Sequence, residues 1–180
     1  MNEFQTINVN LSNLSEEERK QLLELAKRSN TPAKKRWRGE RNNHYYFISG
    51  AGGIGKGRED KVAYDSNRYQ LGNYFRTEEE AEFELNKRLV YQELKDYAFE
   101  HNEGEIDWEN HEQEKWVLSY DSQIKFLGCY LRLVLSDIGQ IYFSSRKIAQ
   151  EAVEAVGKDR IEKYLFNINW IYFVPVFVPM

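Results

Sequence analysis

The sequence of 180 residues contains only one cysteine, three prolines and three histidines. Because Cys129 has no cysteine partner in the chain, an intramolecular disulfide and a zinc site built from several thiolates are excluded. The longest apolar run, residues 168–180, is interrupted by Pro175 and Pro179 and is too short to cross a bilayer. The segment after Met1 is polar and has no signal-peptide pattern. These absences predict a cytoplasmic protein without membrane contact.

Motifs that carry catalytic or metal chemistry are also scarce. His44, His101 and His111 have no spacing typical of metal ligands or of an acid–base pair. We therefore expect no enzyme, no catalytic residue and no metal site. A nuclease that trims RNA would need such pairs, and it is the remaining enzymatic alternative.

The glycine-rich stretch Gly50–Gly57 nearly matches a phosphate-binding loop. The match fails at Gly57, which stands where a serine or threonine would bind Mg²⁺. We therefore predict no cofactor. The stretch is instead predicted to be the tip of a hairpin between strands at His44–Ser49 and Val62–Tyr64, with a further strand near Arg68–Leu71.

A short pattern occurs twice, at Tyr74–Ala81 and Tyr142–Ala149, with an offset of 68 residues. Each copy, called a cassette below, has a Tyr-Phe pair typical of a strand, then a hydroxyl residue, Thr77 or Ser145, that can cap a helix. The alanine one turn later would let that helix lie close to a sheet. The expected fold class is α+β: two β-β-β-α repeats sharing a core, with an N-terminal strand and helix and a C-terminal edge strand.

The chain is predicted to divide into three segments. Residues 1–43 combine a strand at residues 5–11, a helix capped by Ser15 and a basic connector. Residues 44–113 form the first repeat and an acidic connector, and the long helix of this repeat should pack on its own sheet and also against either the N-terminal helix or the second repeat. Residues 114–180 form the second repeat and a C-terminal strand, whose prolines favour an edge position. That strand either completes a sheet of its own chain or pairs with a second copy, which would make a homodimer.

Charge is distributed unevenly, although the net charge is only -4. Between Lys27 and Lys61 there are ten Lys/Arg against three Asp/Glu, whereas between Glu78 and Glu114 there are fourteen Asp/Glu against three Lys/Arg. The candidate partner-binding residues are acidic: Glu78, Glu79, Glu82, Glu103, Glu105, Asp107 and Glu109. The candidate nucleic-acid-binding residues are basic: Lys34, Lys35, Arg36, Arg38 and Arg41.

Several motifs follow one another in order: Trp37–Glu40, Tyr45–Phe47, Gly72–Ala81, Asp107–Lys115 and Tyr142–Ser145. Over about Leu11 to Phe166 this order resembles the small accessory proteins found widely in phages and prophages of Gram-positive bacteria. Such proteins include type II-A anti-CRISPR proteins, which act on Cas9. The resemblance implies a phage-encoded, non-enzymatic inhibitor in the cytoplasm of the bacterial host, which binds Cas9 or its guide RNA complex and blocks DNA binding or cleavage. The shared motifs are structural and assign no functional residues.

Physical reasoning gives this inhibitor a means of binding. An RNA-guided nuclease holds its nucleic acids in a basic channel, so the acidic segment could replace phosphates there and the basic connector could contact the guide RNA. The alternative is a phage nucleic-acid-binding module of replication or regulation. In that module the tyrosines would stack on bases, unless they pack within the sheets in the ordinary way: Tyr45, Tyr46, Tyr74 and Tyr142.

Overall fold

The computed structural model describes residues 14–30, 35–134 and 136–168, and for residues 26–30 it describes the backbone only. The chain forms two compact units, Met1–Trp37 and Arg38–Met180. The described residues form five helices and two two-stranded antiparallel sheets, so the predicted α+β class is confirmed. None of the described helices has the length and apolar character needed to cross a membrane. Two predicted strands lie outside the described residues: the one at residues 5–11 and the one at the C-terminus. The homodimer predicted through the C-terminal strand therefore stays a prediction.

In the first unit, helix α1 (Glu16–Asn30) begins at the predicted cap. The Ser15 N–H donates to Glu18 Oε2 over 2.8 Å, and the Glu18 N–H donates back to Ser15 Oγ over 3.3 Å. Two backbone donors that a helix start leaves unpaired are thereby satisfied, so the predicted capping box is confirmed.

The first hairpin of the second unit consists of β1 (His44–Ile48) and β2 (Ile54–Arg58). The predicted strand at Val62–Tyr64 is wrong, because the second strand lies within the glycine-rich stretch itself. Gly57 faces Tyr45, and a Cβ on Gly57 would lie 2.7 Å from the Tyr45 ring. The glycines of β2 therefore give the aromatic rings of β1 room to lie against the backbone, a role that a turn-like composition conceals.

Helix α2 (Ala63–Gln70) follows this hairpin, so the strand predicted near Arg68–Leu71 is also wrong. The side chain of Asp65, in the first turn, stabilises the start of the helix. Its Oδ2 accepts hydrogen bonds from the backbone N–H groups of Asp60 and Val62. The carboxylate thus satisfies donors that precede the first helical turn.

The second hairpin consists of β3 (Lys115–Asp121) and β4 (Phe126–Arg132), which are two of the three strands that the predicted repeat requires in this part of the chain. It is followed by α4 (Arg146–Val156) and α5 (Lys158–Leu165), with Gly157 between them at a φ of 97°. A positive φ is readily adopted by glycine, which explains why the helix ends there.

Both cassettes start a capped helix, as predicted. The Glu80 N–H donates to Thr77 Oγ1 at the start of α3 (Glu78–His101), and the Ile148 N–H donates to Ser145 Oγ at the start of α4, each over 3.2 Å. The alanine one turn later is fully buried in both copies. The cassettes thus confirm the sequence signal for capping and close packing.

Complete β-β-β-α repeats, however, are not evident in the described structure. Each cassette phenylalanine forms only an isolated bridge, Phe75 with Tyr46 and Phe143 with Trp116. In the first half, the side chain of Asn73 takes the place of further backbone pairing to β1. Asn73 Oδ1 accepts a hydrogen bond from the Ile48 N–H over 2.7 Å, and Asn73 Nδ2 donates one to the Ile48 carbonyl over 2.8 Å. The amide side chain satisfies the strand groups that a third strand would otherwise pair.

The main apolar core lies between α3, α4, α5 and the second hairpin. Phe143, Val90 and Leu94 are buried there. Helix α3 contacts β1 as well as α4 and α5, which confirms that it packs on its own sheet and on the second half of the chain. Leu89 of α3 is nevertheless 47% exposed, so these contacts leave part of the apolar surface of the helix uncovered.

Candidate binding surfaces

The acidic connector, residues 102–114, folds around a buried lysine. Lys115 has no exposed surface, and its Nζ donates to the carbonyls of Asn110 over 2.9 Å and Gln113 over 3.1 Å. Its ammonium also lies 5.4 Å from the centre of the Trp108 ring. A buried cation that is satisfied by carbonyls and an aromatic face holds the loop from within.

Further hydrogen bonds fix both ends of the connector. Asn102 Nδ2 donates to the Tyr142 carbonyl over 3.0 Å, and Asn102 Oδ1 accepts from the Ser144 N–H over 2.9 Å. Gln113 Nε2 donates to the Glu105 carbonyl over 2.9 Å, which closes the loop on itself. The connector is therefore an ordered structure attached to the second cassette.

All seven predicted acidic residues are exposed. The structure brings together the four of the connector: Glu103, Glu105, Asp107 and Glu109. Glu78, Glu79 and Glu82 lie instead in the first two turns of α3, roughly 30 Å away along the helix at about 1.5 Å per residue. The seven candidate residues thus form two groups of carboxylates at opposite ends of one helix.

The predicted basic residues do not share one environment. Lys34 lies outside the described residues, Lys35 and Arg36 are exposed in the first unit, and Arg41 is exposed in the second. Arg38 forms a bidentate ion pair, with Nε 3.0 Å from Glu59 Oε2 and Nη2 3.1 Å from Oε1. Both oxygens of the fully buried Glu59 are engaged, so the contacts give Arg38 a structural role.

A buried polar network surrounds this ion pair. The Tyr74 hydroxyl donates to Glu59 Oε2 over 2.9 Å, and the Tyr45 hydroxyl donates to Asp65 Oδ1 over 2.8 Å. The rings of Tyr45 and Tyr74 are stacked 4.0 Å apart and are 0% and 4% exposed. These two tyrosines consequently offer no face to a base, whereas Tyr46 and Tyr142 are half-buried.

The network keeps its carboxylates ionised. Burial alone would raise the pKa of Glu59, but hydrogen bonds from Arg38, Tyr74 and the Lys61 N–H outweigh it and lower the pKa below its ordinary value. Burial and the neighbouring Glu59 raise the pKa of the Tyr74 hydroxyl, so it remains a donor. Every buried side-chain nitrogen or oxygen of the described residues has a hydrogen-bond partner. The network is therefore a satisfied structural element.

Sequence reasoning missed this network because Glu59 and Asp65 lie in a stretch of ordinary charged composition. A usable signal would have been one aromatic-rich strand whose partner strand has two glycines opposite the aromatic residues, because this pairing places Tyr45 where its hydroxyl reaches Asp65. Among the described residues, no group of three or more His, Cys, Asp or Glu is arranged to hold a metal ion. His101 is stacked on Tyr97 with ring centroids 3.9 Å apart, and His111 is exposed.

Comparisons with protein-family models, with curated proteins and with solved structures find no match to this chain. The resemblance to phage accessory proteins therefore stays a prediction, and the surfaces described above carry the functional argument.

Proposed function

We propose that this protein is a phage-encoded, non-enzymatic inhibitor of a host defence nuclease, with the type II-A effector Cas9 or its guide RNA complex as its target. One observation carries the proposal: the acidic connector presents carboxylates to solvent from a loop that Lys115 braces from within. Glu103, Glu105 and Glu109 make hydrogen bonds to other described residues through their backbone groups but not through their carboxylates.

An ordered loop is well suited to electrostatic binding. An ordered ligand surface loses less conformational entropy on association than a flexible one, so more of its interaction free energy appears as affinity. The channel of an RNA-guided nuclease is basic because it holds a nucleic-acid backbone. Closely spaced carboxylates can be attracted to such a channel over distance and can occupy positions that phosphates would take.

The test is a charge-reversal triple variant, Glu103→Lys, Glu105→Lys and Glu109→Lys. We expect about tenfold weaker binding to the Cas9–guide RNA complex at low salt, and a smaller difference at high salt because the charges are then screened. The matched control is Glu16→Lys, Glu17→Lys and Glu24→Lys, which changes the net charge equally at exposed positions of α1. Equal binding by wild type and the connector variant at both salt concentrations would disprove the proposal.

A nucleic-acid-binding module is the second candidate, and the register of the first hairpin favours it. This register pairs Lys56 with Tyr46 and Arg58 with His44, and the lysine and arginine are both exposed. Cations beside aromatic rings are typical of surfaces that bind single strands. A gel shift with random single- and double-stranded oligonucleotides, without any host protein, distinguishes the two: tight binding at physiological salt supports the module.

A further inference from the structure

The two hairpins differ in their outer strands. β1 and β3 each pair with a cassette phenylalanine, whereas the second edges of β2 and β4 pair with no other described strand. An unpaired edge can accept a strand from another chain, and proteins usually protect such edges with charged residues or prolines. β2 has this protection in Lys56 and Arg58. β4 has six uncharged residues in a row, Phe126–Leu131, and its one charged residue, Arg132, stands at its end.

A groove with a volume of about 590 Å³ runs along β4. One wall consists of the five consecutive residues Phe126–Tyr130. Because consecutive strand residues point to opposite faces of a sheet, a groove that touches all five follows the edge of the strand. The opposite wall is one side of α4, whose contributing residues have helical spacing: Arg146, Gln150, Val153 and Glu154.

We propose that this β4 groove binds an extended peptide segment of a partner protein, which adds to the edge of β4 as a third strand. In this mode the backbone of the edge strand supplies hydrogen bonds and the groove receives alternate side chains. The groove between a strand edge and a helix provides both features. Phe126 at one end is 50% exposed and Val153 lies on the helical wall, so apolar residues at alternate positions fit it.

The charges of the groove specify an acidic partner segment. Arg146 lies 5.8 Å from the centre of the Trp116 ring, near the end of β4 that pairs with Trp116. Lys158 lies 5.8 Å from the centre of the Phe126 ring, at the other end of β4. A cation is thus held at each end. The lining contains one acidic residue, Glu154, and Lys158 also lies 3.6 Å from Glu162 Oε1 beside the groove. Carboxylates at the two ends of a bound strand would complement this arrangement.

The same charges favour a partner protein over two other occupants. A twofold pairing of β4 with a second copy would place Arg146 of each copy near Lys158 of the other, which brings like charges together. Residues 169–180 of this chain contain no acidic residue, so they provide no charged side chain to match either cation.

The experiment is an NMR titration of the isotopically labelled full chain with two synthetic peptides. One is Asp-Asp-Thr-Val-Thr-Val-Thr-Val-Asp-Asp with both ends blocked, and the other has lysines in place of the aspartates. We expect amide shifts in β4 and on the groove side of α4 but none in β2. We also expect about fivefold tighter binding of the acidic peptide, as exposed ion pairs predict. Methylation of alternate peptide nitrogens should weaken binding about tenfold, because it removes strand hydrogen bonds.

The control variants test the charge argument directly. Arg146→Glu with Lys158→Glu should reverse the preference between the peptides, whereas Lys56→Glu with Arg58→Glu on β2 should leave it unchanged. Four results would overturn the proposal: no β4 shifts at millimolar peptide; equal binding of the methylated peptide; a dimer joined through β4; or outward β4 amides already protected from hydrogen exchange in the free monomer. The last two would assign the edge to a second copy or to the chain itself.

Discussion

The two hairpins of the second unit are organised alike but are stabilised differently. In the first, a buried network of Glu59, Asp65 and two tyrosines lies beside the sheet, and Arg38 completes it. In the second, Leu118, Leu127 and the other apolar residues of the main core cover one face. The first hairpin therefore depends on satisfied polar groups and the second on buried apolar area.

This difference determines how strongly substitutions should destabilise each hairpin. A polar network stabilises only when every member is paired, and the loss of one member leaves the others buried without partners. An apolar core loses stability roughly in proportion to the volume removed. Equivalent substitutions in the two hairpins should thus give unequal losses, and the following comparisons between matched positions measure them.

The largest loss of stability is expected in the comparison of the two cassette phenylalanines. Phe143 is fully buried in the main core, whereas Phe75 is half-buried at its bridge with Tyr46. Phe143→Ala should lower the free energy of unfolding by about 3–5 kcal/mol. Phe75→Ala should lower it by roughly half as much, because solvent already reaches part of the ring. Urea denaturation followed by circular dichroism measures both, and equal losses would show that the two halves are packed alike.

The second comparison removes one partner from each of two bidentate glutamate–arginine pairs. Glu59→Ala removes the buried carboxylate that accepts hydrogen bonds from Arg38 and Tyr74, and should cost about 3 kcal/mol. Glu93→Ala breaks a pair with Arg160 whose N–O distance is 2.7 Å but whose side chains are 42% and 43% exposed. That loss should stay below about 1 kcal/mol. A similar cost for both, again from urea denaturation, would contradict a network whose value depends on burial.

The third comparison concerns one glycine in each outer strand. In Gly57→Ala the new Cβ would lie 2.7 Å from the Tyr45 ring, which is fully buried and stacked on Tyr74. The ring cannot move aside, so we expect a loss of about 2 kcal/mol.

In Gly128→Ala the new Cβ would lie 2.9 Å from the Tyr130 ring, but that ring is 36% exposed and can turn toward solvent. The expected loss is under about 1 kcal/mol. The difference between the two midpoints of thermal unfolding checks this pair. A larger loss at Gly128 would mean that the outer edge of β4 is more confined than that of β2.

Sequence patterns predicted the features that depend on neighbouring residues. The helix caps at Thr77 and Ser145, the buried alanines after them and the strand at His44 are set by local hydrogen bonding and alternation, and the structure contains all of them. The acidic connector was also identified from composition. Composition could not show that the buried Lys115 holds this connector in place, because a buried lysine has the same sequence signature as an exposed one.

The features that sequence reasoning missed depend on contacts across the fold. Gly55 and Gly57 suggested a turn, yet they belong to a strand because two aromatic rings on β1 need the space above them. The third strand of each predicted repeat is reduced to one bridge, and in the first half the side-chain amide of Asn73 satisfies the strand groups instead. Neither the placing of glycines opposite aromatic rings nor the pairing of strand groups by a side-chain amide produces a residue pattern at fixed spacing in the sequence.

The last comparison uses acid, which should act on the first hairpin. The pKa values of Glu59 and Asp65 are lowered in the folded state, since their hydrogen bonds outweigh the opposing effect of burial. Each group therefore adds stability that is fully present above its unfolded pKa, near 4, and is lost as the pH falls through its folded pKa. We expect the free energy of unfolding to be steady from about pH 7 to 5 and to fall below about pH 4.

Glu59→Gln tests whether this acid sensitivity belongs to the polar network. The variant is less stable at neutral pH, but it cannot lose the Glu59 contribution again on acidification, so its stability should depend less steeply on pH. Glu93→Gln is the matched control: its pKa is lowered by Arg160, yet the side chain is 42% exposed and its slope should change less. Urea denaturation at several pH values gives the slopes. If Glu59→Gln and the wild type had the same slope, the acid-sensitive charges would lie elsewhere, and the contrast between a polar first hairpin and an apolar second one would lose its electrostatic basis.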